Sequence, residues 1–168
     1  KDAAAQVTTL LDGESIDILV YNAALSHIGS FIEQPAEGHD QAARVNMITP
    51  MKLVHHFGGK MIEAGRGAVI LMSSMAGFQG SGFVATYAAT KAFNRVLAES
   101  LWYEWKDKGV DIIACCAGAT ATPGYINSTP AKVSLFAPAV QKPAEVVSEC
   151  FSKLGRGPSF VTGHGNRF

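Results

Sequence analysis

Charge imbalance, cysteine and long apolar runs are all scarce in this sequence of 168 residues. Fourteen basic side chains face fourteen acidic ones, so the formal net charge is zero at pH 7. Such a balance gives no electrostatic footprint for nucleic acid or an anionic membrane. No stretch reaches the roughly 18 consecutive apolar residues of a membrane span, so no membrane partner is expected. The three cysteines are Cys115, Cys116 and Cys150. Their spacing fits no zinc pattern, and no metal site is expected. Cys115 and Cys116 adjoin inside an apolar run, which directs them to opposite faces of a buried strand as inert thiols. Thiols of that kind suit a reducing, cytoplasmic setting. A signal peptide and an initiator Met are also lacking, which suggests that the chain starts downstream of the gene's own start. What is present is apolar: hydrophobic residues make up 48% and charged residues 17%, enough for one compact domain spanning residues 1–168.

Short apolar runs alternate with helical segments. Ile16 to Val20, Ala68 to Met72 and Asp111 to Cys116 read as buried strands, and Ser159 to Thr162 as a short last one. A helix carrying Val7, Leu10 and Leu11 ends at Gly13. A long helix is expected over 36–64, kinked or weakened by Pro50 and Gly58-Gly59. Another is expected over 83–108, with an apolar stripe of Phe93, Val96, Leu97, Ser100 and Leu101. Pro143 opens a final helix that Gly155 closes. Strands that are apolar throughout and separated by helices must pair in parallel. The fold class is therefore α/β, a Rossmann-type doubly wound parallel sheet. Ligands of such sheets bind at the carboxyl ends of the strands. The polar, small-residue segments 21–30, 73–82 and 117–130 fall there.

Tyr87 and Lys91 stand four apart on one helical face. A phenol with a pKa of about 10 is a poor acid or base at neutral pH, and a nearby ammonium favours its phenolate. The pair suits proton transfer at a carbonyl or alcohol oxygen. Ser74, thirteen residues before Tyr87, ends a strand where a hydroxyl can steady charge on a substrate oxygen. Asn46 lies inside a predicted helix, where Asn is a poor helix former. Asn22 follows the first strand, where a cofactor would cross the sheet.

The ordered set Tyr21-Asn22-Ala23-Ala24, Asn46, Ser73-Ser74-Met75-Ala76-Gly77, Tyr87-Ala88-Ala89-Thr90-Lys91 and Cys116 to Thr122 resembles the classical short-chain dehydrogenase/reductase family, from residue 1 to about 165. The resemblance implies an oxidoreductase that uses NAD or NADP to interconvert a ketone and a secondary alcohol. It implies that Tyr87 is the general acid/base and that Lys91 lowers its pKa and binds the nicotinamide ribose. Ser74 would orient the carbonyl, and Asn46 would hold a water linking Lys91 to solvent. Asn22, Ala23 and Ala24 would border the cofactor, with Gly118, Thr120 and Thr122 at its nicotinamide end. Ala24 replaces the family's usual Gly, and Ala117-Gly118 replaces Pro-Gly. The family's Gly-rich phosphate turn, and the residue selecting NAD or NADP, have no counterpart in these residues. The expectation is a truncated domain that binds dinucleotide poorly alone and leaves Ile16 to Val20 as an apolar edge.

Tyr125, Ile126, Val133, Leu135 and Phe136 fall in the loop that covers the site in relatives, favouring an apolar carbonyl substrate. Family analogy pairs helices 36–64 and 83–108 with copies of themselves in a homodimer or homotetramer. Trp102, Tyr103 and Trp105 are too dense for one buried stripe, so core packing with one exposed aromatic fits equally well. His55-His56 point about 100° apart and do not form a metal site. Two other readings of the fold remain: a binding or scaffold protein without redox chemistry, and a sugar epimerase or dehydratase that also uses a Tyr/Lys pair. The scaffold has no need of all four of Asn46, Ser74, Tyr87 and Lys91.

Overall fold

The computed structural model describes residues 2–128 and 140–166. Four parallel strands form one sheet in the order β1-β2-β3-β4. They are β1 (Ile18–Tyr21), β2 (Gly67–Ser74), β3 (Val110–Ala117) and β4 (Ser159–Val161). The helices are α1 (Ala3–Leu10), α2 (Ala36–Ala43), α3 (Thr49–Ala64), α4 (Ala85–Trp105), α5 (Pro123–Ser128) and α6 (Pro143–Lys153). The parallel α/β architecture is the one the apolar runs require. In-register pairing of Ser74 with Ala117 and of Tyr21 with Leu71 brings the carboxyl ends of three strands to one rim.

One face of the sheet packs Val69, Leu71, Ile112, Ala114 and Cys116 against Leu53, Val54, Phe57 and Met61 of α3 and Ala98 and Trp105 of α4. The other face packs Ile70, Ile113 and Cys115 against Val146 and Cys150 of α6. Cys115 and Cys116 thus take opposite faces, both fully buried. Beyond the reach of α6, Ile18 and Val20 of the edge strand β1 are 49% and 48% exposed.

The long helix over 36–64 is interrupted by a π turn at Arg44–Ile48, which separates α2 from α3. The helix runs on through Ile48 in αR geometry, and the carbonyl that Pro50 cannot engage, four residues back at Asn46, lies inside that turn. The irregularity expected from Pro50 thus falls just ahead of it, while none is centred on Gly58-Gly59. Gly58 is buried against the Trp105 indole, and a methyl at that position would collide with the ring. The predicted stripe on α4 is also shifted. Its buried face runs through Ala88, Lys91, Asn94, Ala98 and Trp105, while Val96 is half exposed. The helix therefore buries polar side chains at the end nearest the strand termini. Trp105 is buried and Tyr103 lies exposed, edge-on to Trp102. Pro143 does open α6, and Gly155 follows it with φ +76°.

Candidate active site

The end of β2 and the start of α4 build the chemical centre. Ser74 is the last residue of β2, and its hydroxyl accepts the Ala76 N–H at 3.2 Å. This bond turns the chain into a short 3-10 turn, Met75–Phe78. Gly77 of the turn lies so close to α4 that a Cβ would stand 2.8 Å from the Ala92 nitrogen and the Lys91 carbonyl carbon. Only glycine allows the turn to seat on the helix at Lys91. Tyr87 occupies the first turn of α4, and both it and Ser74 line the same cleft.

Lys91 lies one helical turn on, 3% exposed, with its Nζ donating to the Met72 carbonyl at 2.8 Å. Ser73 donates its hydroxyl to the Lys91 carbonyl at 2.7 Å, fastening the helix to the strand from the other side. Burial without a carboxylate partner lowers the Lys91 pKa to about 8. Burial raises the Tyr87 pKa, a change only partly offset by Ser74. This departs from the expected downward pull of Lys91 on the phenol. The ammonium is drawn to the strand-end carbonyl and stands 5.6 Å from the Tyr87 ring centre.

Asn46 is fully buried in the π turn. Its Oδ1 accepts the Leu25 N–H at 2.8 Å, and its Nδ2 donates to the Leu25 carbonyl at 2.8 Å and to Thr90 Oγ1 at 3.0 Å. The amide therefore clamps the backbone after β1, and both of its N–H groups are engaged. Thr90 donates in turn to the Tyr87 carbonyl at 2.8 Å. Tyr21 braces the same π turn by donating to the Val45 carbonyl at 2.5 Å.

Ser74, Tyr87 and Lys91 open on one cleft of ≈ 290 Å³, together with Asn22, Ala24, Gly118, Thr120 and Thr122. Met72, Tyr125, Pro143, Val146 and Val147 supply its apolar wall. Ala23 is exposed and lies outside the cleft lining, and Asn46 stands behind the wall rather than in it. Ile126 is 62% exposed, whereas Val133, Leu135 and Phe136 lie outside the described residues. The Thr122 hydroxyl accepts the Tyr125 N–H at 3.3 Å, and Thr120 donates to the Gly118 carbonyl at 3.0 Å. Among the described residues no group of three or more His, Cys, Asp or Glu side chains could hold a metal. None of their helices is long and apolar enough to cross a membrane.

Sequence reasoning passed over Ser73 and Thr90, although both sit inside the motifs that carry the resemblance. A hydroxyl within a helix or at a strand end, beside two reactive positions, is the signal that could have found them.

The family model described as short chain dehydrogenase matches residues 1–133. A 7beta-hydroxysteroid dehydrogenase of Clostridium sardiniense is 31% identical over 166 residues, covering 99% of this chain and 63% of the relative. A 7beta-hydroxysteroid dehydrogenase of Collinsella aerofaciens is 33% identical, covering 98% and 64% respectively. The chain thus spans less than two thirds of the length of these relatives. A solved structure from work on 7beta-hydroxysteroid dehydrogenase stereoselectivity superposes with a TM-score of 0.84 at 33% identity, covering 98% of this chain and 63% of that one. A short-chain dehydrogenase from Sphingobium yanoikuyae in complex with NADPH superposes at 0.78 with 26% identity, covering 95% and 61%.

Proposed function

This chain belongs to the short-chain dehydrogenase family, and on that premise we propose that it forms the catalytic part of an NAD(P)-dependent oxidoreductase interconverting a ketone and a secondary alcohol. The observation that carries this reading is the convergence of Ser74, Tyr87 and Lys91 on one cleft with Asn22, Ala24, Gly118, Thr120 and Thr122.

The donor set fits a nicotinamide ribose. Lys91 and Asn22 offer N–H donors, the hydroxyls of Thr120 and Thr122 face the same space, and Ala24 and Gly118 leave the backbone approachable. When bound, the cofactor supplies or accepts the hydride. Ser74 hydrogen-bonds the substrate oxygen and holds it beside the Tyr87 hydroxyl. Because burial raises the phenol pKa, Tyr87 keeps its proton at neutral pH and can donate it to that oxygen during reduction. Lys91, with its pKa lowered to about 8, exchanges protons within the working range and can reload Tyr87. With the Asn46 N–H groups engaged by Leu25 and Thr90, a water beside Lys91 is held by main-chain oxygens or by the remaining lone pair of Oδ1.

The apolar wall of Met72, Val146, Val147 and Pro143 favours a bulky apolar ketone, and relatives named 7beta-hydroxysteroid dehydrogenase make an oxosteroid the first substrate to try. The groove between α3 and α4, lined by Met51, Val54, Leu97 and Leu101, supports self-association. The test is oxidation of NADH and of NADPH, followed at 340 nm, with a 7-oxosteroid and with a small hydrophilic ketone. The reading expects turnover of the oxosteroid that is lost in Tyr87→Phe. Turnover unaffected by Tyr87→Phe, or cofactor binding without turnover of either ketone class, favours the non-catalytic scaffold.

A further inference from the structure

We propose that Gln141 is a positioning residue for the nicotinamide end of the cleft, acting through a directed hydrogen-bond chain that runs from the Gly118 N–H to the Glu149 carboxylate. The proposal rests on the oxidoreductase reading above.

The loop after β3 presents Gly118, Thr120 and Thr122 to the cleft. Gln141 fastens it twice. Its main chain pairs with the loop as a short parallel bridge: Gln141 N–H donates to the Ala119 carbonyl and Ala121 N–H to the Gln141 carbonyl, both at 2.9 Å. Its side chain then turns inward. Oε1 accepts the Thr162 hydroxyl proton at 2.6 Å, and Nε2 donates to Glu149 Oε1 at 3.0 Å. The Thr162 oxygen in turn accepts the Gly118 N–H at 3.3 Å. Every donor in this series points the same way, toward the carboxylate, so each bond polarises the next. Glu149 also accepts the Gly163 N–H, at 3.3 and 3.1 Å to its two oxygens, and Asn166 Nδ2 donates to the Thr162 carbonyl at 3.0 Å.

Four segments distant in sequence are thus joined at one point: the loop at 118–121, Gln141, α6 at Glu149 and the stretch after β4. The joint is dry, with Thr162 fully buried and Gln141 9% exposed. It is also tightly seated, because a Cβ on Gly118 would collide with the Asn166 amide. Gln is the residue the arrangement demands: a hydroxyl that donates and a carboxylate that only accepts must be bridged by one side chain with both a C=O and an N–H. Met has the length of Gln and neither group.

The experiment titrates NADPH, NADH and ADP-ribose, which lacks the nicotinamide, into the protein extended upstream through the family's Gly-rich phosphate turn and into its Gln141→Met and Thr162→Val variants, and measures kcat with the oxosteroid. Displacing the loop by about an ångström is expected to lower kcat roughly 10- to 100-fold and to weaken NAD(P)H binding, with ADP-ribose binding unchanged. The double variant should lose little more than either single one, because both break one chain. The proposal is overturned if Gln141→Met matches the unaltered protein, if the two losses multiply, or if ADP-ribose weakens by the same factor as NAD(P)H. Should the protein extended upstream through the Gly-rich phosphate turn bind none of the three nucleotides, the oxidoreductase reading itself falls, and this one with it.

Discussion

Lys91→Met should make this protein more stable while removing its chemistry. The lysine is 3% exposed and has no carboxylate against it; its Nζ meets a main-chain carbonyl. Burial lowers its pKa from 10.5 to about 8. At about 1.4 kcal/mol per pKa unit, that displacement corresponds to about 3 kcal/mol against the charged form in the folded state. At pH 7 the amine is protonated in both folded and unfolded chains, so the folded state carries the whole of this penalty. Methionine removes the charge and fills a similar volume, but gives up the bond to Met72, worth about 1 kcal/mol. The net gain is about 1–2 kcal/mol, or roughly 3–6 °C in Tm for a chain of this size.

The pH dependence separates this cause from ordinary packing. Above pH 8 the folded amine loses its proton, while the unfolded one stays charged until pH 10.5. The unfolded state then binds more protons, and the unsubstituted protein gains stability as pH rises through that window. The advantage of Lys91→Met should therefore be full at pH 7 and mostly gone at pH 10. Calorimetry or thermal denaturation followed by circular dichroism at both values measures it. A variant less stable at pH 7, or a gap that is the same at pH 7 and pH 10, would refute the argument that an uncompensated charge is buried here.

Ser74→Ala should lower kcat about 10²- to 10³-fold with little change in Tm, since among the described residues its hydroxyl accepts a single long hydrogen bond, from the Ala76 N–H. Steady-state kinetics beside a melting curve checks it. Asn46→Ala leaves the Leu25 N–H and carbonyl without their partner, and should cost about 2–4 kcal/mol in urea denaturation. Asn46→Asp should fare nearly as badly, because it keeps the acceptor and loses both donors. Val20→Lys, on the open face of β1, should leave stability within about 0.5 kcal/mol and reduce light scattering on storage of the 168-residue chain. A fall in Tm of many degrees would mean that this face is covered.

The strands were legible in the sequence for a simple reason. Ala68 to Leu71 and Ile112 to Cys116 are buried on both faces, so apolar side chains run without interruption and need no period to be recognised. The interruption of the 36–64 helix was legible at Pro50, whose lost bond four residues back falls inside the π turn, and not at Gly58, which serves the Trp105 contact. The form of the interruption has no signature in apolar period: Asn46 and Tyr21 brace the π turn through partners at Leu25 and Val45 that come together only after folding. The stripe on α4 misled for a related reason: the helix buries Lys91 and Asn94, residues that a hydrophobic count assigns to water.

That Ser74, Tyr87 and Lys91 would line one cleft was legible from their spacing, because they sit on β2 and α4, which meet there. Their electrostatics could not. The (i, i+4) relation of Tyr87 and Lys91 fixes which face they share, but not which acceptor the ammonium chooses. That choice belongs to the Met72 carbonyl at the end of another element. The same limit hides Gln141, whose partners lie 8 and 21 residues away and are brought together by strand order. In each of these contacts a side chain grips the main chain of a segment at or beside the cleft: Asn46 holds Leu25, Ser73 holds Lys91, and Thr162 holds Gly118. A site held this way should fail by displacement before it fails by loss of a reacting group. Substitutions at the gripping residues should then change kcat in proportion to how far the held loop moves, even where the cleft keeps all its chemical groups.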